Sequence, residues 1–131
     1  MVWHKTELCL KCMLIALLGL TVGRVRAIFK LPEIYGEYPE PLAYVEWFTP
    51  LSTIDSDLNM YIIGASSKNH RRRASIIPIS RIERSCHLIP KLSRGPIDPT
   101  WHSTNILDQN MKFYVNCYLQ HIDFIFYHGI Q

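Results

Sequence analysis

The sequence predicts a mainly β fold in one small domain, either a barrel or a sandwich. Its 131 residues suffice for one domain of ordinary size. Short segments rich in β-branched and aromatic residues follow one another, and turn residues separate them at the spacing of small antiparallel folds. Hydrophobic residues make up 48% of the chain, which argues against intrinsic disorder and supports a packed core.

The first candidate element is an apolar run of eleven uncharged residues, Cys12 to Val22. It is too short for a membrane-spanning helix, which needs about 20 residues. Its length matches a signal-peptide core, so a small secreted protein is one alternative. The other is a buried helix or strand that enters the domain. Arg24, which Gly23 alone separates from the run, and Arg26 favour this second interpretation.

Five later segments have the composition of strands. In the first, 25–31, apolar residues alternate with Arg24, Arg26 and Lys30, which predicts a strand with one buried face. An acidic loop follows Pro32. Pro78 lies within the fourth segment and predicts an edge strand or a bulge there. The other four predicted strands are 42–48, 60–63, 74–79 and 85–92.

The strand-like pattern of the sequence is interrupted after Pro96 and Pro99. Ser103 or Thr104 is suited to cap one short helix that ends at about Met111. Segment 113–127 then returns to the composition of a strand.

Charge is segregated along the chain, although the net charge is only +3. Segment 33–57 carries six acidic residues and no basic one, whereas segment 68–94 carries eight basic residues and one acidic residue. A basic segment of this kind attracts phosphate or an acidic partner. Alternatively, the two segments face each other across the fold. The candidate nucleic-acid-binding residues are Lys68, Arg71, Arg72, Arg73, Arg81 and Arg84.

Two further patterns suggest sites. Among the fifteen aromatic residues, Tyr44, Trp47 and Tyr61 are candidates for a cage that binds a methylated cation, although core packing is the alternative. The sequence Arg72-Arg73-Ala74-Ser75 matches the substrate pattern of basophilic kinases, which makes Ser75 a candidate phosphorylation site.

Motifs for catalysis, metal binding and cofactors are missing from the sequence. Cys9 and Cys12 have the spacing of metal ligands, but no second close pair with ligand spacing completes a zinc site. His121 and Asp123 share one face of a predicted strand, for which a plain polar face is the alternative. The chain has no glycine-rich phosphate loop and no hydrolase or metalloprotease signature. We therefore expect a non-catalytic protein without metal or cofactor.

Several blocks occur together in one order: GRVRAIFKLP (23–32), YPEPLAYVEWFTPL (38–51), RRRASIIPISRIERSCHLIPKL (71–92), WHSTNILD (101–108) and FYVN (113–116). In these blocks the chain resembles a module of fungal proteins from Plavaka-type transposable elements, a basidiomycete group related to Kyakuja–Dileera–Zisupton DNA transposons. The resemblance covers residues 19–127 as a single β-rich module. It leaves 1–18 as an unmatched apolar segment and 128–131 as a tail.

The order of the blocks also resembles the strand order of bromo-adjacent-homology domains, which are SH3-like barrels. Together the resemblances imply a small β-barrel module, derived from a transposon and located in the nucleus. Such a module is expected to bind nucleic acid or chromatin through its basic loop, without a small-molecule substrate or a membrane. In the transposon proteins the module accompanies a much longer transposase, so catalytic activity is not carried over. A structural or assembly fragment of a transposase is the alternative.

Overall fold

A computed structural model describes residues 12–17, 19–102, 104–109 and 111–118, with side chains from residue 20 onward. Within these ranges the regular elements are strands and three short 3-10 helices. The 3-10 helices are Glu33–Tyr35, Ile79–Arg81 and Ile106–Asp108. The strands are β1 (Cys12–Leu17), β2 (Gly19–Phe29), β3 (Leu42–Trp47), β4 (Thr53–Asp55), β5 (Met60–Gly64), β6 (Ser67–Lys68), β7 (Arg71–Arg72), β8 (Ala74–Pro78), β9 (Ile82–Cys86), β10 (Leu88–Pro90) and β11 (Lys112–Val115).

The strands form antiparallel sheets, and the predicted mainly β class is confirmed. One sheet has the order β8-β3-β2-β1-β9, a second has the order β10-β11-β5-β4, and β6 pairs with β7. The edge strands β8 and β9 of the five-stranded sheet are consecutive in the chain, joined by Ile79–Arg81. Within the described residues β8 and β9 are not paired with each other, and the closure of a barrel stays a prediction.

Strand β2 lies between two clusters of buried side chains. Val22 belongs to a cluster with Phe48 and side chains of the four-stranded sheet. Val25 belongs to a second cluster, whose other members lie on strands of the five-stranded sheet. Residues three positions apart in a strand point to opposite faces, so the two valines face different clusters. Both faces of this part of β2 are therefore covered by protein.

This double coverage corrects the prediction of a single buried face in segment 25–31. Arg24 was expected on the polar face, yet it is only 4% exposed. It lies two residues from Val22 and therefore on the same face of the strand. The pairing of β2 with β3 is shifted between Val25 and Ala27, so the exposed Arg26 occupies a β-bulge.

The other predicted elements are partly confirmed. The apolar run forms β1 and the beginning of β2, which confirms a strand there. Pro78 lies in β8 at the edge of its sheet, as predicted. The fifth predicted strand, 85–92, is instead divided at His87 between β9 and β10, which belong to different sheets.

The helix expected between Ser103 or Thr104 and Met111 is reduced to the single 3-10 turn Ile106–Asp108. Asn105 occupies the position before this turn, and Ser103 lies outside the described residues. Of the predicted strand 113–127, the structure describes β11, and residues 119–127 lie outside the described ranges. None of the helices in the described part of the chain has the length and apolar character needed to cross a membrane.

Candidate nucleic-acid interface

The predicted basic tip is a two-stranded hairpin formed by β6 and β7. Its connection is the dipeptide Asn69-His70, in which both residues have positive φ angles, 54° and 63°. Two positive φ angles in a two-residue loop are typical of a type I′ turn, which matches the twist of paired strands. The local sequence thus builds a tight hairpin without glycine, at the energetic cost of holding His70 in the left-handed region.

Three cationic side chains at this hairpin are exposed. Lys68 and Arg71 are directly opposite each other in the register of β6 and β7. Arg73 follows β7 and is also exposed. Directly opposite residues of like charge destabilise a strand pair, because their Cβ atoms are only about 5 Å apart. The hairpin therefore concentrates positive charge at a place where that charge does not stabilise the isolated fold.

Backbone hydrogen bonds attach the base of the hairpin to the end of β3. The amide of Ser66 donates to the carbonyl of Trp47 at 3.0 Å, and the amide of Trp47 donates to the carbonyl of Arg73 at 2.9 Å. The amide of Arg73 in turn donates to the carbonyl of Ser66 at 2.8 Å. These bonds give the exposed cations a fixed base on the five-stranded sheet.

Arg72 differs from its neighbours, and its predicted role at an exposed tip is corrected. Its guanidinium lies 4.9 Å from the centroid of the Phe48 ring, and its Nε donates to the carbonyl of Trp47 at 3.2 Å. The residue is half-buried. Arg72 therefore fastens the hairpin to the core by a cation–π contact and a hydrogen bond.

Arg81 and Arg84 do not join the hairpin in one patch. Arg81 is exposed in the 3-10 turn after β8, and the whole of β8, about 17 Å long, lies between it and Arg73. Arg84 is half-buried in β9 and pairs with Leu14 of β1. Of the six predicted residues, the three that the structure brings together as an exposed group are Lys68, Arg71 and Arg73.

A groove on the four-stranded sheet contains two further cations, which the sequence did not indicate as nucleic-acid-binding residues. It has a volume of about 440 Å³ and is lined by Lys91, Leu92, Trp101, Gln109, Met111 and Lys112, among others. Lys91 and Lys112 are adjacent across β10 and β11, where the amide of Lys91 donates to the carbonyl of Lys112 at 2.9 Å. Trp101 is distant from both lysines in the chain, and only the fold brings the three side chains to one groove.

Asp55 and Tyr114 lie beside Lys91. The pKa of the Asp55 carboxyl is below its ordinary value, mainly because the amide of Leu58 donates to it. The amide of Asp57 and the charge of Lys91 lower the pKa further. Burial raises the pKa of the Tyr114 hydroxyl, and the nearby Asp55 carboxylate adds to this rise. Lys91 Nζ also lies 5.9 Å from the centroid of the Tyr114 ring.

The aromatic residues proposed as a cage do not share a pocket. Trp47 and Tyr61 are buried in different clusters, and Tyr44 is 40% exposed on the outer face of β3. The indole Nε1 of Trp47 donates to the Ser75 hydroxyl at 2.7 Å, which ties that ring to β8. The cage is therefore wrong as predicted, because alternation along β3 sends Tyr44 and Trp47 to opposite faces.

Ser75 lies in the edge strand β8, and its hydroxyl accepts the hydrogen bond from Trp47. Arg72, the first arginine of the kinase pattern, is engaged with Phe48 in the folded chain. Modification of Ser75 stays a prediction, and a kinase would have to compete with both contacts.

Within the described ranges, no group of three or more His, Cys, Asp or Glu side chains is placed to hold a metal ion. Cys9, His121 and Asp123 lie outside those ranges. A scan against family models finds none that matches the chain, and searches of curated proteins and of solved structures also find no match.

Proposed function

We propose that this protein is a non-catalytic module that binds nucleic acid through the basic hairpin, defined here as β6, β7 and Arg73. The observation that carries the proposal is the direct cross-strand pairing of Lys68 with Arg71. This pairing disfavours the free fold and is relieved when an anion lies between the two side chains. Polyphosphate backbones supply such anions in a row, and their neutralisation releases counterions.

The anchoring of the hairpin supports the same proposal. Arg72 and the Trp47 backbone hold the hairpin base, so the exposed cations are presented without an ordering cost for the main chain at binding. The predicted transposon-derived origin, nuclear location and association with chromatin agree with a polyanionic partner and stay part of this proposal.

The test compares two variants with identical changes in charge. Lys68→Gln/Arg71→Gln removes the hairpin pair, whereas Lys30→Gln/Arg81→Gln removes one exposed lysine and one exposed arginine elsewhere. We expect the hairpin variant to lose at least about tenfold in affinity for a short DNA duplex. The slope of log K against the logarithm of the salt concentration should also be about 1.8 smaller in magnitude. The control variant is expected to lose far less. Equal losses in both variants would reduce the effect to net charge, and an unchanged hairpin variant would refute the proposal.

A second candidate function, assembly with another protein, is favoured by an exposed apolar pair on the five-stranded sheet. Tyr44 and Ile76 are directly opposite each other on β3 and β8, and they are 40% and 57% exposed. Because β8 is an edge strand, this patch adjoins unpaired backbone groups that another strand could bind. Assembly predicts no nucleic-acid binding in isolation, together with concentration-dependent association in analytical ultracentrifugation that Ile76→Lys abolishes.

A further inference from the structure

The groove on the four-stranded sheet combines one half-buried aromatic side chain with two exposed lysines. Trp101 is half-buried in its wall, and Lys91 and Lys112 are exposed at its border. Its volume of about 440 Å³ is within the range of small-ligand sites. A ligand that fits this composition has a flat, stackable part and a negative charge within reach of the lysines.

Hydrogen bonds stabilise the loop that carries Trp101 at the residues before and after it. The Asn105 side chain donates to the carbonyl of Thr100 at 2.9 Å and accepts from the amide of His102 at 2.6 Å. On the other side, the Asp98 carboxylate accepts from both the amide and the hydroxyl of Thr100. These two hydrogen bonds lower the pKa of the Asp98 carboxyl, the bond from the Thr100 hydroxyl more than the bond from the Thr100 amide. The residues on both sides of Trp101 are thus held by side-chain hydrogen bonds, and the Trp101 amide donates to the carbonyl of Asp98 at 3.2 Å.

The two lysines are held close together by the strand pairing. Lys112 begins β11, and its side chain lies across Gly64 of β5, where an added Cβ would be 3.2 Å from the lysine Cδ. Lys91 directly follows β10 and is hydrogen-bonded through its backbone to Lys112. As at the hairpin, two cations are adjacent across an antiparallel pair; the Asp55 carboxylate already interacts with Lys91, and a bound phosphate would stabilise the pair further.

We propose that this groove binds one nucleotide of a single-stranded nucleic acid, with the base stacked on Trp101 and the phosphate held by Lys91 and Lys112. This inference rests on the proposed function and specifies the form of nucleic acid. Every base has a flat π-face that stacks on an aromatic side chain, and a basic surface beside the aromatic residue follows the backbone. In a duplex the bases are already stacked and paired, so the Trp101 contact is available only to a single strand.

The groove and the basic hairpin are close enough to contact one strand. Gly64, the partner of Lys112, precedes Lys68 by four residues, which span at most about 14 Å. A single strand that occupies the groove therefore reaches the hairpin within a few nucleotides.

The experiment measures fluorescence anisotropy of a labelled oligothymidine and of a DNA duplex of equal length with the full chain. We expect Trp101→Ala to lower the affinity for the single strand by about 5- to 100-fold, while the affinity for the duplex changes by less than about twofold. Trp101→Phe keeps an aromatic ring in case the alanine variant does not fold, and it should retain an intermediate affinity. Lys112→Gln should weaken binding to the single strand more than the matched control Lys30→Gln.

The outcomes separate this inference from the proposed function. If Lys68→Gln/Arg71→Gln weakens both DNA forms and Trp101→Ala and Trp101→Phe change neither, the groove proposal is overturned and the hairpin proposal stands. Equal losses of single-strand and duplex affinity in the Trp101 variants also overturn the groove proposal. If the unmodified chain binds neither DNA form, both proposals fail. If thymidine monophosphate quenches the fluorescence of Trp101 but the oligonucleotide does not bind, the groove is a small-molecule site and the proposal is overturned.

Discussion

The guanidinium of Arg24 on β2 donates to the carboxylate of Asp108 at 2.5 Å, across 84 positions of sequence. The arginine side chain is 5% exposed, whereas the aspartate side chain is 53% exposed. A second arginine, Arg26, lies 3.7 Å from the same carboxylate. This ion pair joins the GRVRAIFKLP block to the WHSTNILD block, and it places the end of the Trp101 loop against the central strand β2.

The unequal burial of this pair predicts unequal effects of substitution. Asp108→Ala leaves the buried Arg24 guanidinium without its carboxylate, and we expect it to lower the free energy of unfolding by about 1.5–3 kcal/mol. Arg24→Met leaves only a carboxylate that water can solvate, so its loss should be below about 1.5 kcal/mol. Urea unfolding followed by circular dichroism measures both, and a greater loss in Arg24→Met would contradict this account.

The hairpin predicts opposite behaviour for two adjacent arginines. Arg72→Ala removes the contact with Phe48 and the bond to the Trp47 carbonyl, so we expect it to destabilise the fold by about 1–2 kcal/mol. Arg71→Ala should change stability by less than about 0.5 kcal/mol and reduce affinity for DNA. Thermal unfolding and anisotropy of the same two samples test both halves. Similar stability losses in the two variants would show that Arg72 is not the anchor.

The turn of the hairpin predicts a stabilising substitution. His70 has a φ of 63°, a conformation that glycine adopts without a steric penalty. We expect His70→Gly to raise the free energy of unfolding by about 0.5–1 kcal/mol, because relief of the left-handed conformation exceeds the added freedom of the unfolded chain. His70→Ala keeps a Cβ and is the control. A rise of equal size in the alanine variant would attribute the effect to loss of the imidazole.

The Trp47–Ser75 hydrogen bond predicts a specific requirement for a hydroxyl at position 75. Ser75→Ala leaves the indole N–H of a ring that is 8% exposed without this acceptor, and we expect a loss of about 1 kcal/mol. Ser75→Thr retains the hydroxyl, suits a strand and should be close to neutral. Chemical denaturation of both variants tests the prediction, which fails if threonine is as destabilising as alanine.

Asp55 predicts a dependence of stability on pH. Its folded-state pKa is below the ordinary value of 3.8, so its ionised form stabilises the fold above that pH. The contribution is lost as pH falls through the lowered pKa. Asp55→Asn keeps an oxygen acceptor for the turn but removes the charge, so we expect a lower melting temperature at pH 7. The difference from the unmodified chain should vanish well below 3.8; a constant difference would exclude the charge as its cause.

Features that depend on residues close together in the sequence were predictable. The strands 42–48, 60–63 and 74–79 correspond to β3, β5 and β8, because alternation and turn residues are local signals. Pro78 indicated an edge strand because it lacks the N–H that a second neighbour would need. The division of segment 85–92 at His87 was missed, because two consecutive strands that belong to different sheets look like one apolar segment in the sequence.

The candidate site was predicted only in part. Segment 68–73 was expected to be an exposed basic tip, and Lys68, Arg71 and Arg73 are exposed there. No pattern in RRR distinguishes Arg72, whose position depends on Phe48, a residue from another strand. The groove was missed because Lys91, Trp101 and Lys112 are separated in the chain and meet only through the pairing of β10 with β11 and the folding of the loop between these strands.

The sequence by itself therefore determined the β class, most strand positions and the basic hairpin tip, since alternation, proline and charge act over a few residues. The tertiary structure decided which of the charged side chains are structural and which are exposed. Arg24 shows the physical reason: its pattern marks a solvent face, but the four-stranded sheet and the Asp108 turn cover that face. Burial is a property of what packs against a strand, and the ion-pair partner of Arg24 is 84 positions away in the sequence.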